Sequence, residues 1–294
     1  MPAYRFCRTD DIELLVDALN RCWAPYFPDE PPMTPAAFKR TIRDLQVWCS
    51  SCMVAFAGSD PIGVLIGAKR ASATLIHKIA VHPDHLRQGH GRHLLTSLSS
   101  KLAILGPPRM VAEVPETLAH ACDLFTTSGY VQEALLRDYV LHRDGNDGAQ
   151  APNGFVIPAT VDDLAANGLL GEDPASPVAS ARQVYPQTCW SHSVETLTAT
   201  KDEISGIAFA SEEQIEAFVL YRTCGEIVAL RSLVDDGGLR LEQLLSRIGH
   251  PTVRFPRVHP AQGSDEFLQT LGFRAAGRYL LYATRAGTIH DGSR

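Results

Sequence analysis

A strand, a basic glycine loop and an amphipathic helix follow one another directly in residues 79–105. The loop reads Arg87-Gln-Gly-His-Gly-Arg92. Leucines recur after it at intervals of four, four and three, at Leu94, Leu98, Leu102 and Leu105. That spacing predicts one buried face of an α-helix, which Gly106-Pro-Pro ends. A strand that leads into a helix through so short a loop is typical of a mixed α/β domain.

The loop is predicted to bind a phosphate or a diphosphate. The first turn of a helix leaves backbone N–H groups unpaired and carries the positive end of the helix dipole. Gly89 and Gly91 have no Cβ atom, so the main chain can approach an anion closely, and Arg87 and Arg92 can add charge-assisted hydrogen bonds. The loop lacks the Gly-Lys-Ser/Thr ending of a P-loop and the third glycine of a dinucleotide-binding loop. A glycine turn that merely begins a surface helix is the alternative interpretation.

The order of strand, Val81-x-Pro83, Arg87-Gln88-Gly89-x-Gly91 and helix resembles the pyrophosphate loop of the GCN5-related N-acetyltransferase (GNAT) family. The sequence departs from the family pattern at Leu86, where Gln or Arg is common. The resemblance implies acetyl-CoA as the acyl donor. It also implies that the pantetheine arm pairs with the main chain of Ile79, Ala80 and Val81. The diphosphate would then be bound by the loop residues Arg87, Gln88, Gly89, His90, Gly91 and Arg92.

The same resemblance suggests the catalytic base. Some family members have a glutamate at the position of Glu113, twelve residues before a tyrosine that acts as the acid, but here the twelfth residue is Phe125. Leu118 also replaces an asparagine that contacts the cofactor in many relatives. A solvated carboxylate is the alternative for Glu113, and Glu116 is a weaker candidate base. A thiolate with a pKa of about 8.5 leaves without an acid, and Tyr130 or Tyr139 are possible substitutes.

The acceptor pocket is predicted from the loop between the first two helices, which lines that pocket in relatives. Tyr26 and Phe27 are expected to stack on the substrate, while Asp29 and Glu30 attract an ammonium group. A proline-stiffened surface loop is the alternative interpretation.

Metal binding is not predicted. Five histidines lie on the strand and the loop, at His77, His82, His85, His90 and His93. No carboxylate or cysteine accompanies them at a matching spacing, so they are interpreted as solvated side chains, with His77 kept as a candidate proton relay. Cys49-x-x-Cys52 has no second pair and is expected to begin a buried strand.

Composition and charge limit the functional classes. The 294 residues are 45% hydrophobic and 20% charged, as in globular proteins. Seven cysteines, an odd number, and the lack of an apolar leader or long apolar run predict a cytoplasmic protein without a membrane partner. Residues 1–145 carry 15 basic and 15 acidic groups, so the net charge of −6 lies in the second half. The lack of a basic excess argues against a nucleic-acid partner, and the acidic second half weakly favours a cationic acceptor.

The chain is predicted to hold two related domains. Residues 1–143 alternate strands and helices as the resemblance implies, the glycine-rich residues 144–154 form a linker, and residues 155–294 repeat the pattern in outline. Gly272-Phe273 lies 143 positions after Gly129-Tyr130, a period that means duplicated domains. The second copy has two carboxylates in Asp235-Asp-Gly-Gly238, where a diphosphate would lie. It is therefore expected to be a degenerate copy that does not bind CoA.

These observations predict an α/β (α+β) fold of two tandem acetyltransferase-like domains, each with a mixed sheet flanked by helices. The first would transfer an acyl group, most simply acetyl, from CoA to the amine of a small molecule or peptide in a ternary complex. Two alternatives stay open: a non-catalytic acyl-CoA sensor or scaffold, and a transferase with another acyl donor or a hydroxyl acceptor. A homodimer is compatible with the duplication but is not indicated by it.

Overall fold

The computed structural model describes residues 2–143, 155–170 and 188–284. They fall into two compact units, one within Met1–Glu133 and Leu280–Arg294 and the other within Ala134–Tyr279. The predicted linker at 144–154 lies outside the described residues, so the bounds of the two predicted domains stay a prediction. The last described strand, Arg274–Thr284, begins in the second unit and ends in the first. The sequence pattern did not indicate this arrangement.

The first unit is a mixed sheet packed against helices. Its described strands are β1 (Ala3–Phe6), β2 (Met53–Ala57), β3 (Asp60–Lys69), β4 (Thr74–Val81) and β5 (Met110–Pro115), and its helices are α1 (Ile12–Cys22), α2 (Pro35–Leu45), α3 (His90–Leu105) and α4 (Ala119–Thr127). The strands lie in the order of their numbers, antiparallel from β1 to β4 and parallel from β4 to β5. The end of a twelfth strand, β12 (Arg274–Thr284), lies beside β5.

The predicted face of α3 packs into the core of this unit. Leu94, Leu98 and Leu102 are buried together with the neighbouring Leu95. Leu105 was expected on the same face but is 66% exposed. Leu105 is the last residue of α3. A residue on the apolar face of a helix can still be exposed when it lies at the helix end.

The second unit repeats the order of elements. Its described strands are β6 (Tyr130–His142, which begins in the first unit), β7 (Phe155–Pro158), β8 (Ile204–Ala210), β9 (Ile215–Arg222), β10 (Ile227–Ser232) and β11 (Thr252–Val258), and its helices are α5 (Val161–Ala166), α6 (Val194–Ala199), α7 (Leu239–Ser246) and α8 (Asp265–Thr270). One sheet has the order β10-β9-β8-β7, and β6 lies between β11 and β12. The series β8-β9-β10-α7-β11-α8 matches β2-β3-β4-α3-β5-α4.

The N-terminus of α7 is closed by a carboxylate of the same chain. Asp236 accepts hydrogen bonds from the backbone N–H of Gly238 (2.9 Å) and of Arg240 (3.1 Å). The Arg240 guanidinium also binds Asp236 at 2.9 Å and Glu216 at 2.6 Å. Burial alone would raise the pKa of Asp236, but the hydrogen bonds from Arg240 and Gly238 outweigh it and hold that pKa below its ordinary value.

Gly67→Ala is expected to destabilise the first unit. A Cβ atom on Gly67, in β3, would lie 2.5 Å from the carbonyl oxygen of Ser51, which is backbone and cannot move cheaply. Overpacking of this kind costs about 1–3 kcal/mol, measured as a lower midpoint of urea unfolding. Gly63→Ala on the same strand is the control, because its Cβ would meet nothing closer than 3.4 Å. Equal midpoints for the two variants would contradict the steric explanation.

Asp236→Ala is expected to lower stability by about 1–2 kcal/mol at pH 7, because it removes both a helix cap and an ion pair. The folded-state pKa lies below the unfolded value of about 3.9, so the stabilisation is fully present above that value and disappears as the pH falls through the folded pKa. Urea unfolding at pH 7 and at pH 3 measures the difference. Asp235→Ala, which changes an exposed neighbour, should have little effect at either pH.

Candidate functional site

Strands β4 and β5 separate soon after they begin. They pair only at Thr74 with Met110 and at Leu75 with Val111, and the N–H of Thr74 donates to the carbonyl of Arg109 at 2.9 Å. Beyond Leu75 the described ladder between the two strands ends. One edge of β4 therefore has main-chain groups that β5 does not pair, and buried unpaired groups of this kind need a partner.

The register with β3 decides which of these groups face the gap between β4 and β5. The N–H of His82 donates to the carbonyl of Ile62 at 2.9 Å. Hydrogen-bonded and non-bonded pairs alternate along an antiparallel ladder. The main-chain groups of Ile79 and Val81 therefore face the gap, whereas those of Ala80 face β3, where Ala80 pairs with Val64. Of the three residues predicted to bind pantetheine through the main chain, two present their groups on the open edge.

The loop after β4 ends in an open helix N-terminus. Arg87 and Gly89 have left-handed backbone angles (φ of 61° and 83°), and Gly89 is the N-cap of α3. No side chain caps this helix, and its first internal hydrogen bond runs from the N–H of His93 to the carbonyl of Gly89 at 3.0 Å. The preceding N–H groups have no partner within the helix. A Cβ atom at Gly89 would have nothing within 4 Å, so the main chain there is open to a ligand.

The two glycines of the loop have different roles. A Cβ atom at Gly91 would lie 3.1 Å from a methyl group of Leu124, so this glycine allows α3 to pack closely on α4. Both glycines were predicted to open the main chain to an anion. Only Gly89 has open space around it, whereas Gly91 lies against Leu124.

The two arginines of the loop also differ. The side chain of Arg87 is exposed, and within the described ranges no ion pair holds it. Arg92 donates to the carbonyl of Thr127, at the end of α4, over 3.4 Å. Arg87 is therefore the guanidinium that is free to turn toward a bound anion.

The side chain of His90 is structural. It is buried, its Nδ1 lies 2.6 Å from the hydroxyl of Tyr4, and its Nε2 lies 3.3 Å from Oε1 of Gln88. Burial, then His85 and His93, lower its pKa. Among the described residues, no group of three or more His, Cys, Asp or Glu side chains is placed to hold a metal ion. All seven cysteines are free thiols.

Glu113 lies on β5 beyond the last pair with β4, so this half-buried residue is on the separated part of the strand. Phe125 is 2% exposed, and its ring packs on Tyr130 (centroids 5.1 Å apart) and Tyr282 (5.6 Å). The hydroxyl of Tyr130 donates to the sulfur of Met110 (3.6 Å), and burial raises its pKa. The replacement of the expected tyrosine by Phe125 therefore fits an apolar core.

Tyr139, the other candidate acid, belongs to the second unit, where its hydroxyl donates to Asp265. Burial and Asp265 raise the pKa of Tyr139 to about 12. A phenol of that pKa, already bonded to a carboxylate, is a poor proton donor.

The loop predicted to line the acceptor pocket lies against β4. The hydroxyl of Tyr26 donates to the carbonyl of Val81 at 2.6 Å, and the ring of Phe27 stacks on Trp23 with centroids 4.5 Å apart. The ammonium group of Lys78 lies over Trp23. Sequence reasoning missed Lys78, although a lysine within the otherwise apolar end of β4 was a signal.

The turn before α7 is the counterpart of the loop before α3, and the two differ in one respect. Both place a glycine with positive φ at the N-cap, Gly89 at 83° and Gly238 at 92°. At α3 no side chain caps the helix, whereas at α7 Asp236 takes the N–H groups. The expectation that carboxylates occupy this position in the second copy agrees with the hydrogen bonds of Asp236.

Comparisons with known proteins relate residues 12–130 and the overall fold to acetyltransferases. The family model "Acetyltransferase (GNAT) family" matches residues 12–130. A curated relative in Escherichia coli K12, the [ribosomal protein bS18]-alanine N-acetyltransferase, is 38% identical over 77 residues, which are 26% of this chain and 51% of that protein. The chain thus spans about half the length of the curated relatives it matches.

Solved structures match over nearly the whole chain. A GCN5-related N-acetyltransferase from Sphaerobacter thermophilus has a TM-score of 0.62 at 14% identity and covers 96% of this chain and 95% of its own. A tandem GNAT protein from the clavulanic acid biosynthesis pathway has a TM-score of 0.61 at 15% identity, covering 98% and 99%. In the part of the chain that is described, no helix is long and apolar enough to cross a membrane. Residues 12–130 match the model of the acetyltransferase (GNAT) family, and the chain as a whole shares the fold of a tandem GNAT protein.

Proposed function

We propose that the first unit transfers an acetyl group from acetyl-CoA to an amine by direct attack in a ternary complex. The observation that carries this proposal is the combination of an uncapped α3 N-terminus with an unpaired edge of β4. The first provides N–H groups and a positive dipole for a diphosphate. The second provides main-chain donors and acceptors for an extended amide chain, in the manner of an added strand.

The diphosphate of the donor would be held by the N–H groups of residues 88–92. Gly89 leaves room for close approach, and the exposed guanidinium of Arg87 adds a charge-assisted bond. The amide arm would pair with the main chain of Ile79 and with the N–H of Val81, because the carbonyl of Val81 already accepts a hydrogen bond from Tyr26. Ala80, His90 and Gly91 contribute mainly by shaping the strand and the helix, since their main-chain pairing or side chains serve the fold.

The chemistry needs an unprotonated amine and a stabilised thioester oxygen. The amine nitrogen attacks the thioester carbon, the C–N bond forms and the C–S bond breaks, so that CoA leaves as a thiolate. The proton that the nitrogen then loses passes to the thiolate or to water. Glu113 is the proposed base for the ammonium proton, because it lies on β5 where that strand borders the gap. A main-chain N–H of β4 would stabilise the developing oxyanion. With Phe125 in the core, no acid is assigned to the thiolate, whose pKa of about 8.5 makes it a tolerable leaving group.

The acceptor is proposed to be the amine of a peptide or protein. The support is the curated relative, whose name describes acetylation of an alanine of a ribosomal protein. Tyr26 and Phe27 would contact the acceptor from the loop that lies against β4. A small-molecule amine is the alternative acceptor.

A second candidate function is a sensor that binds acyl-CoA without turnover. The burial of Phe125 favours it, because the position where a proton donor is expected holds an apolar ring. A screen that follows thiol release from acetyl-CoA over peptides and small amines separates the two. Tight binding of acetyl-CoA with no release across the panel would support the sensor and contradict the transferase.

Gly89→Glu is expected to abolish acetyl-CoA binding, because it places a carboxylate in the diphosphate position on a left-handed residue. Isothermal titration with acetyl-CoA measures the affinity, with an expected loss of at least about 100-fold. Gly58→Glu is the matched control, since Gly58 also has a positive φ (62°) with nothing within 4 Å of its missing Cβ but lies in the β2–β3 turn. Unchanged affinity in Gly89→Glu would remove the site assignment.

Glu113→Gln is expected to lower turnover by about 10²–10⁴-fold at neutral pH while the affinity for acetyl-CoA stays the same, as for the loss of a general base. The loss should shrink as the pH rises, because the free amine then forms without a base. Initial rates of thiol release measure turnover from pH 6 to pH 10. Glu116→Gln is the control and should behave as the unmodified protein. Normal turnover in Glu113→Gln would exclude Glu113 as the base.

A further inference from the structure

The segment between α1 and α2, residues 23–33, is fastened to β4 at two points, and we refer to it as the acceptor segment. At one point the hydroxyl of Tyr26 donates to the carbonyl of Val81 at 2.6 Å. At the other, the ammonium group of Lys78 lies 3.8 Å from the centre of the Trp23 ring. The indole N–H of Trp23 donates to Oε2 of Glu30 at 3.0 Å, and the same oxygen lies 3.5 Å from Nζ of Lys78. Lys78, Trp23 and Glu30 thus form a closed cycle of contacts.

Lys78 is an unusual residue at this place in the sheet. Its side chain is only 15% exposed, and burial lowers its pKa, an effect that Glu30 partly offsets. A buried ammonium is costly unless it is paired. Its partners are the face of Trp23 and the carboxylate of Glu30, both from the acceptor segment. The strand therefore carries a cation that is satisfied by the acceptor segment.

The far end of the acceptor segment is fixed to α1. The side chain of Asn20 donates to the carbonyl of Met33 at 2.9 Å and accepts from its N–H at 2.7 Å. Of the fastenings described above, only those of Lys78 and Tyr26 reach β4. Lys78 and Val81 lie on either side of Ile79, whose main-chain groups face the gap. The position of the acceptor segment is thus coupled to the part of β4 proposed to hold the thioester.

We propose that Lys78 is a positioning residue for the acceptor, which holds residues 23–33 against β4 at the edge of the thioester site. The inference rests on the proposed transferase function and adds a residue to it. Glu30 then serves as the anchor of Lys78, which leaves Asp29 as the exposed acidic side chain that attracts the acceptor ammonium.

Hydrogen–deuterium exchange of residues 23–33 tests the anchoring without any substrate. Lys78→Met is expected to raise the exchange rate of amides in the acceptor segment about ten-fold, whereas Lys78→Arg, which keeps the charge and stacks on aromatic rings, is expected to retain slow exchange. Lys101→Met is the matched control, because Lys101 also lies over an aromatic ring (4.0 Å from the centre of Phe6) but on α3. Unchanged exchange in Lys78→Met would overturn the proposal.

Steady-state kinetics test the role in catalysis, with whichever peptide or amine the thiol-release screen identifies. Lys78→Met is expected to raise the KM for the acceptor about ten-fold, with kcat changed less than about three-fold and the Kd for acetyl-CoA unchanged, and Lys78→Arg is expected to rescue the KM. An equal loss in Lys101→Met, or a fall in kcat alone, would mean a merely structural role and would overturn the proposal.

Two further outcomes are distinguishable. If no acceptor is turned over by the unmodified protein, the proposed transferase function fails, while the exchange experiment still decides whether Lys78 anchors the segment. If Lys78→Met does not fold, Glu30→Gln removes the counter-charge from the other side of the contact and is expected to raise exchange about three-fold. Slow exchange in Glu30→Gln would then overturn the proposal.

Discussion

The loss of pairing between β4 and β5 beyond Leu75 is the constraint on which the candidate site depends. A continuous parallel ladder would have satisfied every main-chain group of β4 and left nothing for a ligand. Separation of the strands leaves the groups of Ile79 and the N–H of Val81 unpaired by β5, directly before the loop that begins α3, while the carbonyl of Val81 accepts from Tyr26. The two parts of the proposed donor site, one for an amide chain and one for an anion, therefore lie on consecutive parts of the chain.

The two units show how one turn geometry can be open or closed. Gly89 and Gly238 have nearly the same backbone conformation at the start of α3 and α7. The difference is Asp236, whose carboxylate accepts the N–H groups that an external anion would otherwise use. Because a carboxylate and a phosphate compete for the same donors and repel each other, the chain's own side chain stabilises the second turn and makes it unsuitable for a diphosphate. These hydrogen bonds support the prediction that the second unit does not bind CoA at this turn.

The aromatic and charged residues around the first site divide between the core and the rim. Phe125, Tyr130 and Tyr282 pack on one another inside the first unit, so the apolar ring at position 125 is part of a packed cluster. At the rim, Trp23, Glu30 and Lys78 satisfy one another and bring the acceptor segment to β4. The loop lies within the residues that match the GNAT family model, whereas these contacts are seen only once the chain is folded.

The sequence by itself indicated a mixed α/β pattern, its repeat in outline and the glycine loop of residues 87–92 before an amphipathic helix, because hydrophobic periodicity and glycine positions are local properties. It did not indicate β7, α5 or α6. Four features needed the tertiary structure. The register of β3 and β4 turned Ala80 toward β3 and not toward the gap, and the packing of α4 gave Gly91 a role different from that of Gly89. The contact of Lys78 with Trp23 joins positions that are distant in sequence. These features depend on which surfaces meet after the chain has folded, and no local spacing records that. The end of strand β12 belongs to the first unit, although it follows the second unit in sequence. This placement too depends on which surfaces meet in the folded chain.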